Sequence, residues 1–309
     1  KVAVVTGAGR GIGRGEALAL AAEGASVVVN DLGGTWDGTS ADDRPASEVV
    51  AEIRSRGGAA VANFSDVADA AGAQSLIDQA IETFGDLHIL VNNAGILRDG
   101  MIFSIEPESW ETVVRVHLMG HFLPTRAAAA YWRNRAKQDG VTGQRAVINT
   151  TSESGLFGNA GQSNYDAAKM GIVSLTMAVA KETAKYGVTV NAIAPRARTR
   201  LTTTTFESTG RAAEFADAEV AAFDAMDPDN IGPFVAFLAS EAAAGVTGQT
   251  FIVYGGVIGR VRMPHLAGYV QTDGRWTVAD LAMRSEELFK DVGRDVFEGP
   301  KGYARLPRQ

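Results

Sequence analysis

No stretch constrains this chain more than Val2 to Gly13, V-A-V-V-T-G-A-G-R-G-I-G. A short β-branched run leads at once into a glycine-rich turn and then into an Ala-rich periodic segment, Arg14 to Glu23, which reads as strand, turn and helix. A second apolar run, Ala25 to Asn30, ends in Asp31, and the span from Gly7 to Asp31 matches the length of a βαβ unit. Glycines at 7, 11 and 13 let the backbone approach a pyrophosphate at the helix N-terminus, where free N–H groups and the helix dipole favour anions. Asp31 falls where a carboxylate accepts the ribose hydroxyls of an adenosine. A tight structural turn is the plainer alternative, but the correctly spaced acidic residue favours nucleotide binding.

The pattern then repeats. Gly33 to Pro45 is polar and turn-rich, a surface loop after the second strand. Helix is expected over Ala46 to Arg56 and strand over Ala59 to Asn63, closed by Ser65-Asp66-Val67, where Asp66 either touches an adenine or caps the next helix. Helix Ala71 to Phe84 and strand Leu87 to Val91 follow, ending in Asn92-Asn93-Ala94-Gly95, small residues suited to tying the strand to its neighbours or lining a cofactor floor. A long helix, Trp110 to Ala130, precedes strand Ala146 to Asn149; helix Asn164 to Tyr186 precedes strand Val188 to Ala194, which ends in Pro195. The last strand is Thr250 to Tyr254. Such alternation without a break in composition predicts an α/β fold with one Rossmann-like, doubly wound parallel sheet and helices on both faces. Residues 1–259 form that domain, with a mobile lid at about 196–229. Residues 260–309, with a helix at Val278 to Lys290, form a C-terminal extension expected to pack on the core or on a neighbouring subunit.

Within this frame Ser152 to Lys169, S-E-S-G-L-F-G-N-A-G-Q-S-N-Y-D-A-A-K, holds the chemistry. Tyr165 and Lys169 are four apart, which on a helix stacks them one turn apart on one face, so the ammonium can lower the phenol's pKa. A phenol tuned in this way takes a proton from an alcohol near neutral pH. Ser152, across a segment with Gly155, Gly158 and Gly161 that reads as loop, can hydrogen-bond the same substrate oxygen. A Tyr and a Lys one turn apart are also common on surface helices, and only the glycine loop upstream tips the balance.

Charge narrows the partners: 29 Lys and Arg against 36 Asp and Glu leave a net charge of -7, which argues against nucleic acid or an anionic membrane surface. No run of about twenty apolar residues is present, so no membrane span is expected. With no Cys there is no disulfide, thiolate catalysis or zinc-thiolate site, and no metal is expected. The chain opens at Lys1 directly on a strand pattern without a charged-then-apolar leader; with the lack of Cys this fits a reducing compartment, and a cytoplasmic location is the expectation.

Three motifs in order, T-G-A-G-R-G-I-G at Thr6 to Gly13, N-N-A-G at Asn92 to Gly95, and Ser152 with Tyr165-x-x-x-Lys169, resemble the short-chain dehydrogenase/reductase family over about residues 1–258. Within it V-V-V-N-D-L-G-G (27–34), N-N-A-G-I-L-R-D (92–99), R-V-H-L (115–118) and Q-S-N-Y-D-A-A-K (162–169) are similar to the (3R)-hydroxyacyl-CoA dehydrogenase units of peroxisomal multifunctional enzymes and to related actinobacterial acyl-CoA and steroid dehydrogenases. The resemblance implies that Tyr165 is the general acid/base, that Ser152 polarises the substrate oxygen and that Lys169 holds the nicotinamide ribose. It further implies a cofactor site from Gly7, Gly9, Arg10, Gly11, Ile12, Gly13, Asp31, Asp66, Val67, Asn93, Ala94, Gly95, Tyr165, Lys169, Pro195 and Thr199. The family's usual fourth catalytic member is an Asn; the aligned residue here is His117. A second departure is Pro195-Arg196, where most members have Pro-Gly, and Glu153 is unusual beside the serine.

The cofactor expected is NAD, with NADP second: Asp31 repels a ribose 2′-phosphate, whereas Arg10 could attract one. The activity expected is hydride transfer between NAD and a secondary alcohol or ketone, most specifically a 3-hydroxyacyl-CoA, with Arg196, Arg198 and Arg200 as candidates to meet CoA phosphates and Leu156 and Phe157 as apolar wall. The alternatives are a CoA-independent ketone or hydroxysteroid reductase and, in another class, a non-catalytic nucleotide-binding regulator. The resemblance also implies a homodimer or homotetramer.

Overall fold

The computed structural model describes residues 1–35, 37–38, 44–140, 143–200, 202, 223–262, 264, 266 and 268–289. It divides into two units, Lys1–Val261 and Arg262–Gln309. The first unit runs β1 (Val2–Thr6), α1 (Gly11–Ala22), β2 (Ser26–Asn30), α2 (Arg44–Ser55), β3 (Ala60–Asn63), α3 (Ala70–Phe84), β4 (Ile89–Asn92) and α4 (Pro107–Val114). After a π-helical turn (Arg115–Met119) come α5 (Gly120–Asp139), β5 (Arg145–Thr150), α6 (Glu153–Phe157), α7 (Ser163–Thr183), β6 (Val188–Arg196), α8 (Gly232–Leu238), β7 (Thr250–Tyr254) and β8 (Val257–Arg260). In the second unit, α9 (Val278–Leu288) starts at a capping box in which Thr277 and Asp280 satisfy one another's backbone N–H groups.

The described strands form one sheet in the order β3-β2-β1-β4-β5-β6-β7-β8. All neighbours from β3 to β7 are parallel, and β8 pairs antiparallel with β7 at the edge. Strand residues alternate between two apolar layers: Ala3, Val5, Val27 and Val29 face Leu20, Ile53, Phe234 and Leu238, while Val2, Val4, Val28 and Leu90 face Leu76, Ile77, Trp132 and Val179. The order reverses at β1, whose neighbours β2 and β4 lead away on opposite sides. The crevice at their C-terminal ends is where a doubly wound sheet receives its ligand.

Four local readings need correction. The segment after Ser152, expected as loop, contains the short helix α6, because Ser152 caps it by accepting a hydrogen bond from the Ser154 N–H at 3.2 Å. The expected long helix from Trp110 is one rod interrupted by the π turn Arg115–Met119, a local bulge that hydrophobic periodicity does not register. Strand β8 was not anticipated; four residues around Gly259 carry no alternating pattern, and their pairing to β7 is what makes them a strand. Asp66 does not cap α3, since Asp69 does, accepting from the Gly72 N–H at 2.8 Å. Residues 36 and 39–43 of the expected surface loop, and 201 and 203–222 of the expected lid, lie outside the described residues. No helix among the described residues is long and apolar enough to cross a membrane.

Candidate active site

The nucleotide side is built mostly from backbone. Gly7 and Gly11 adopt φ of 62° and 54°, a region costly for side-chained residues, and a Cβ on Gly13 would lie 2.3 Å from Gly7 O and 2.5 Å from Asn93 Nδ2. The turn therefore closes onto its own helix with no room for a side chain. Arg10, exposed, is the N-cap of α1 and makes no side-chain cap bond, and the first turn carries no acidic residue, so the helix N-terminus keeps donors for an anion. Asp31 sits at the mouth, accepting from the Gly9 N–H at 2.8 Å and the Gly33 N–H at 2.7 Å. Ile12 is partly buried against the adjoining apolar layer, and a Thr199 methyl approaches the space above Gly11. These features fit a dinucleotide.

Asn93 settles between its two expected roles. Its Nδ2 donates to Thr6 O at 3.0 Å and Gly7 O at 3.1 Å, while the Thr6 hydroxyl accepts from the Asn93 and Ala94 N–H groups, so it braces the glycine loop from below. Asn92 donates to Thr125 Oγ1 and Asn149 Oδ1, both at 2.9 Å, tying β4 to α5 and β5. Asp66 spends one oxygen on the Ala68 N–H at 2.8 Å and pairs with Arg115 at 3.2 Å, and Val67 is buried beneath Gly120. Pro195 pairs with Val253 inside β6, one residue beyond the expected end of the strand.

The proton-handling side is built from side chains. Lys169 is buried and its Nζ donates to Thr150 O at 2.6 Å, 5.5 Å from the Tyr165 ring centroid. Burial brings the Lys169 ammonium down to about 7 against the pull of Glu16. Burial likewise pushes the Tyr165 phenol up to about 12, with the Ser152 hydroxyl drawing it down and the charges of Asp166 and Asp99 adding to the rise. The sequence expectation that Lys169 lowers the Tyr165 phenol is not met: desolvation dominates at both groups, and the downward pull on the phenol comes from Ser152.

His117 lies in the π turn, edge-on to Tyr165 with ring centroids 5.0 Å apart, and its Nε2 is 2.8 Å from the Ile96 carbonyl oxygen. Burial holds its imidazole well below the usual histidine range, and the Lys169 charge adds to this. Gly95 makes room for that ring, because a Cβ there would meet His117 Cε1 at 2.3 Å. Gly155 performs the same service for α6, where an added Cβ would lie 2.6 Å from Lys169 Cβ and 3.1 Å from its carbonyl carbon.

Three groups escaped the sequence reading. Glu16 is fully buried in α1 with both oxygens unpartnered among the described residues, its carboxyl pushed up to about 8 by burial against the opposing pull of Lys169. The signal was present: Gly13, Glu16, Ala17 and Leu20 make one helical stripe, and a carboxylate on it is out of place. His121, one turn beyond His117, is also buried, and burial brings it down to about 3. Thr150, which supplies the carbonyl for Lys169, carries no sequence signal because main-chain acceptors are common to every residue. Of the lid arginines, Arg196 pairs with Glu153 at 2.8 Å and Arg198 with Asp224 at 3.2 Å, so neither presents a bare cation to a CoA phosphate.

A family profile described as short chain dehydrogenase matches residues 1–210. The chain belongs to that family, and it is an oxidoreductase acting on CH–OH groups with a nicotinamide cofactor, NAD or NADP. It is 44% identical over 297 residues to the hydroxyacyl-CoA dehydrogenase ChsB1 of Mycobacterium tuberculosis, covering 96% of this chain and 90% of that protein. It is 40% identical to mouse peroxisomal multifunctional enzyme type 2 over 87% of this chain, which spans 34% of that larger protein. A short-chain dehydrogenase crystal structure from Mycobacterium avium superposes with a TM-score of 0.81 at 45% identity, covering 94% of each chain.

Proposed function

We propose that this chain interconverts a 3-hydroxyacyl-CoA and its 3-oxo form, with NAD as the preferred cofactor. The observation that carries the chemistry is the half-buried Tyr165 over the buried Lys169, beside Ser152 at the C-terminal end of β5. In oxidation Tyr165 takes the hydroxyl proton while Ser152 hydrogen-bonds the same oxygen, and in reduction Tyr165 returns the proton. A bound nicotinamide supplies the hydride acceptor or donor. Gly7 to Gly13 would hold its pyrophosphate, Lys169 and Asp31 its two riboses, and Thr199 the lid side of the loop. His117 takes the place of the family's Asn, its ring packed edge-on to the phenol and its imidazole kept neutral.

The acyl-CoA preference is supported by the name of the hydroxyacyl-CoA dehydrogenase relative, which aligns with 96% of this chain. Preference for NAD is supported by the Asp31 carboxylate at the loop mouth; Arg10 and Arg200, near one another, oppose it. A homodimer or homotetramer is proposed, checked by sedimentation. The first experiment is a panel of 3-hydroxyacyl-CoA thioesters and the matching free alcohols, each with NAD and NADP, followed by NADH or NADPH absorbance. Turnover of thioesters at least about tenfold above the free alcohols is expected, and equal turnover would overturn the CoA assignment.

A further inference from the structure

The two departures from the family pattern, Glu153 after the serine and Arg196 after Pro195, are partners. Arg196 donates to Glu153 Oε2 through Nε at 3.1 Å and through Nη2 at 2.8 Å. Its guanidinium lies 5.0 Å from the centroid of the Tyr254 ring, and Arg196 and Tyr254 are register partners across β6 and β7. We propose that Glu153, Arg196 and Tyr254 form a clamp that positions Ser152 and the Leu156-Phe157 wall over the reacting centre, an inference that rests on the role given to Ser152 above.

The reason lies in how little else holds α6. Five residues are too few for a self-sustaining helix, and none of the five is fully buried. Gly155 lets α6 lie against α7 at Lys169, but a missing side chain removes an obstacle without adding attraction. Arg196 and Tyr254 are held by a sheet ladder, so the clamp joins a rigid partner to a marginal one. The ion pair is also partly removed from water: side-chain exposure is 27% for Arg196 and 14% for Glu153. An aromatic face and a carboxylate share the cation, which makes the contact worth more than an exposed pair. Glu153 Oε1 is buried with no partner among the described residues, so loss of Arg196 would leave a whole carboxylate stranded and favour displacement of the helix start. Glu153 in the first turn also meets the positive end of the helix dipole, which favours the same placement.

The pair is therefore a positioning device, and its test separates placement from chemistry. Glu153→Gln, Arg196→Gln and the double variant are compared with the parent by hydrogen–deuterium exchange of the amides of residues 153–158, a readout that needs no substrate. Each single variant is expected to exchange at least tenfold faster there, the double no faster than either single, with residues of β5 and β6 unchanged. Unaltered exchange at 153–158, or effects that multiply in the double, overturns the clamp. Steady-state kinetics add the functional half: kcat on a 3-hydroxyacyl-CoA should fall about tenfold while the KM for the nicotinamide cofactor stays within twofold, and Arg196→Lys should recover part of the loss. A rise in cofactor KM with kcat intact overturns the positioning role. If no substrate of the panel is turned over by the parent, the proposed function fails while the exchange result still decides the clamp.

Discussion

The nucleotide side and the proton-handling side of this crevice are made of different materials. From Gly7 to Gly13 the decisive groups are main-chain donors and the absence of side chains, with Asn93 and Thr6 as braces. Across the crevice the decisive groups are titratable side chains, the buried Lys169, His117 and Glu16 and the half-buried Tyr165, whose protonation is governed by desolvation first and by neighbours second. A site made of backbone tolerates almost no added volume. A site made of buried charge is sensitive to pH and to its counter-charges. The same sheet thus supports a close-packed glycine cradle and a cluster of desolvated titratable groups a few strands apart.

The sharpest way to break this contrast is at Tyr165. Tyr165→Phe leaves the cradle intact and removes the proton carrier, so turnover should fall about a thousandfold with cofactor affinity within twofold, read by steady-state rates and by cofactor titration. Comparable turnover would sink the acid/base role. Next in size is Gly13→Ala, whose Cβ would lie 2.3 Å from Gly7 O: cofactor affinity should drop by about a hundredfold or the loop should fail to form, visible in cofactor titration and thermal unfolding. Gly155→Ala sets a Cβ 2.6 Å from Lys169 Cβ, on the other side of the contrast. It should cost about tenfold in kcat with cofactor KM little changed, the reverse of the Gly13 result.

The smallest expected effect concerns Glu16. Its folded value of about 8 lies above the unfolded 4.5, so the fold binds a proton that the unfolded chain releases, and stability declines as pH rises through that window. Lys169, at about 7 against 10.5 unfolded, contributes with the opposite sign only above about pH 7. Between pH 5 and 7 the Glu16 contribution, worth roughly 2 kcal/mol, overlaps a smaller decline from Asp166 and an opposite rise from His117 and His121, whose depressed folded values leave the unfolded chain holding more protons below about pH 6.5. Glu16→Gln should remove this downward component, so that the slope of denaturation free energy against pH becomes more positive than the parent's across the interval, and a slope equal to the parent's would remove Glu16 from the account.

Strand and helix periods, the glycine turn and the spacing of Ser152, Tyr165 and Lys169 are local properties, and the periods alone place the seven parallel strands. The failures differ in kind: Asp66 lost the helix cap to Asp69 three residues on, β8 exists only by pairing with the neighbouring edge of β7, and the helix after Ser152 lies against the distant Lys169 at Gly155. Glu153 and Arg196 stood out as oddities, 43 residues apart, with nothing in the string to join them.

By itself, then, the sequence determined the α/β class and marked the glycine turn and the spacing of Ser152, Tyr165 and Lys169, because turn chemistry and helical spacing act over a few residues. Only the tertiary structure decided that Glu16 and His121 are enclosed with Lys169, that burial raises the phenol against the pull of Ser152, and that Glu153 meets Arg196. Burial and long-range pairing arise when distant segments close on one another, and desolvation has no value until they do.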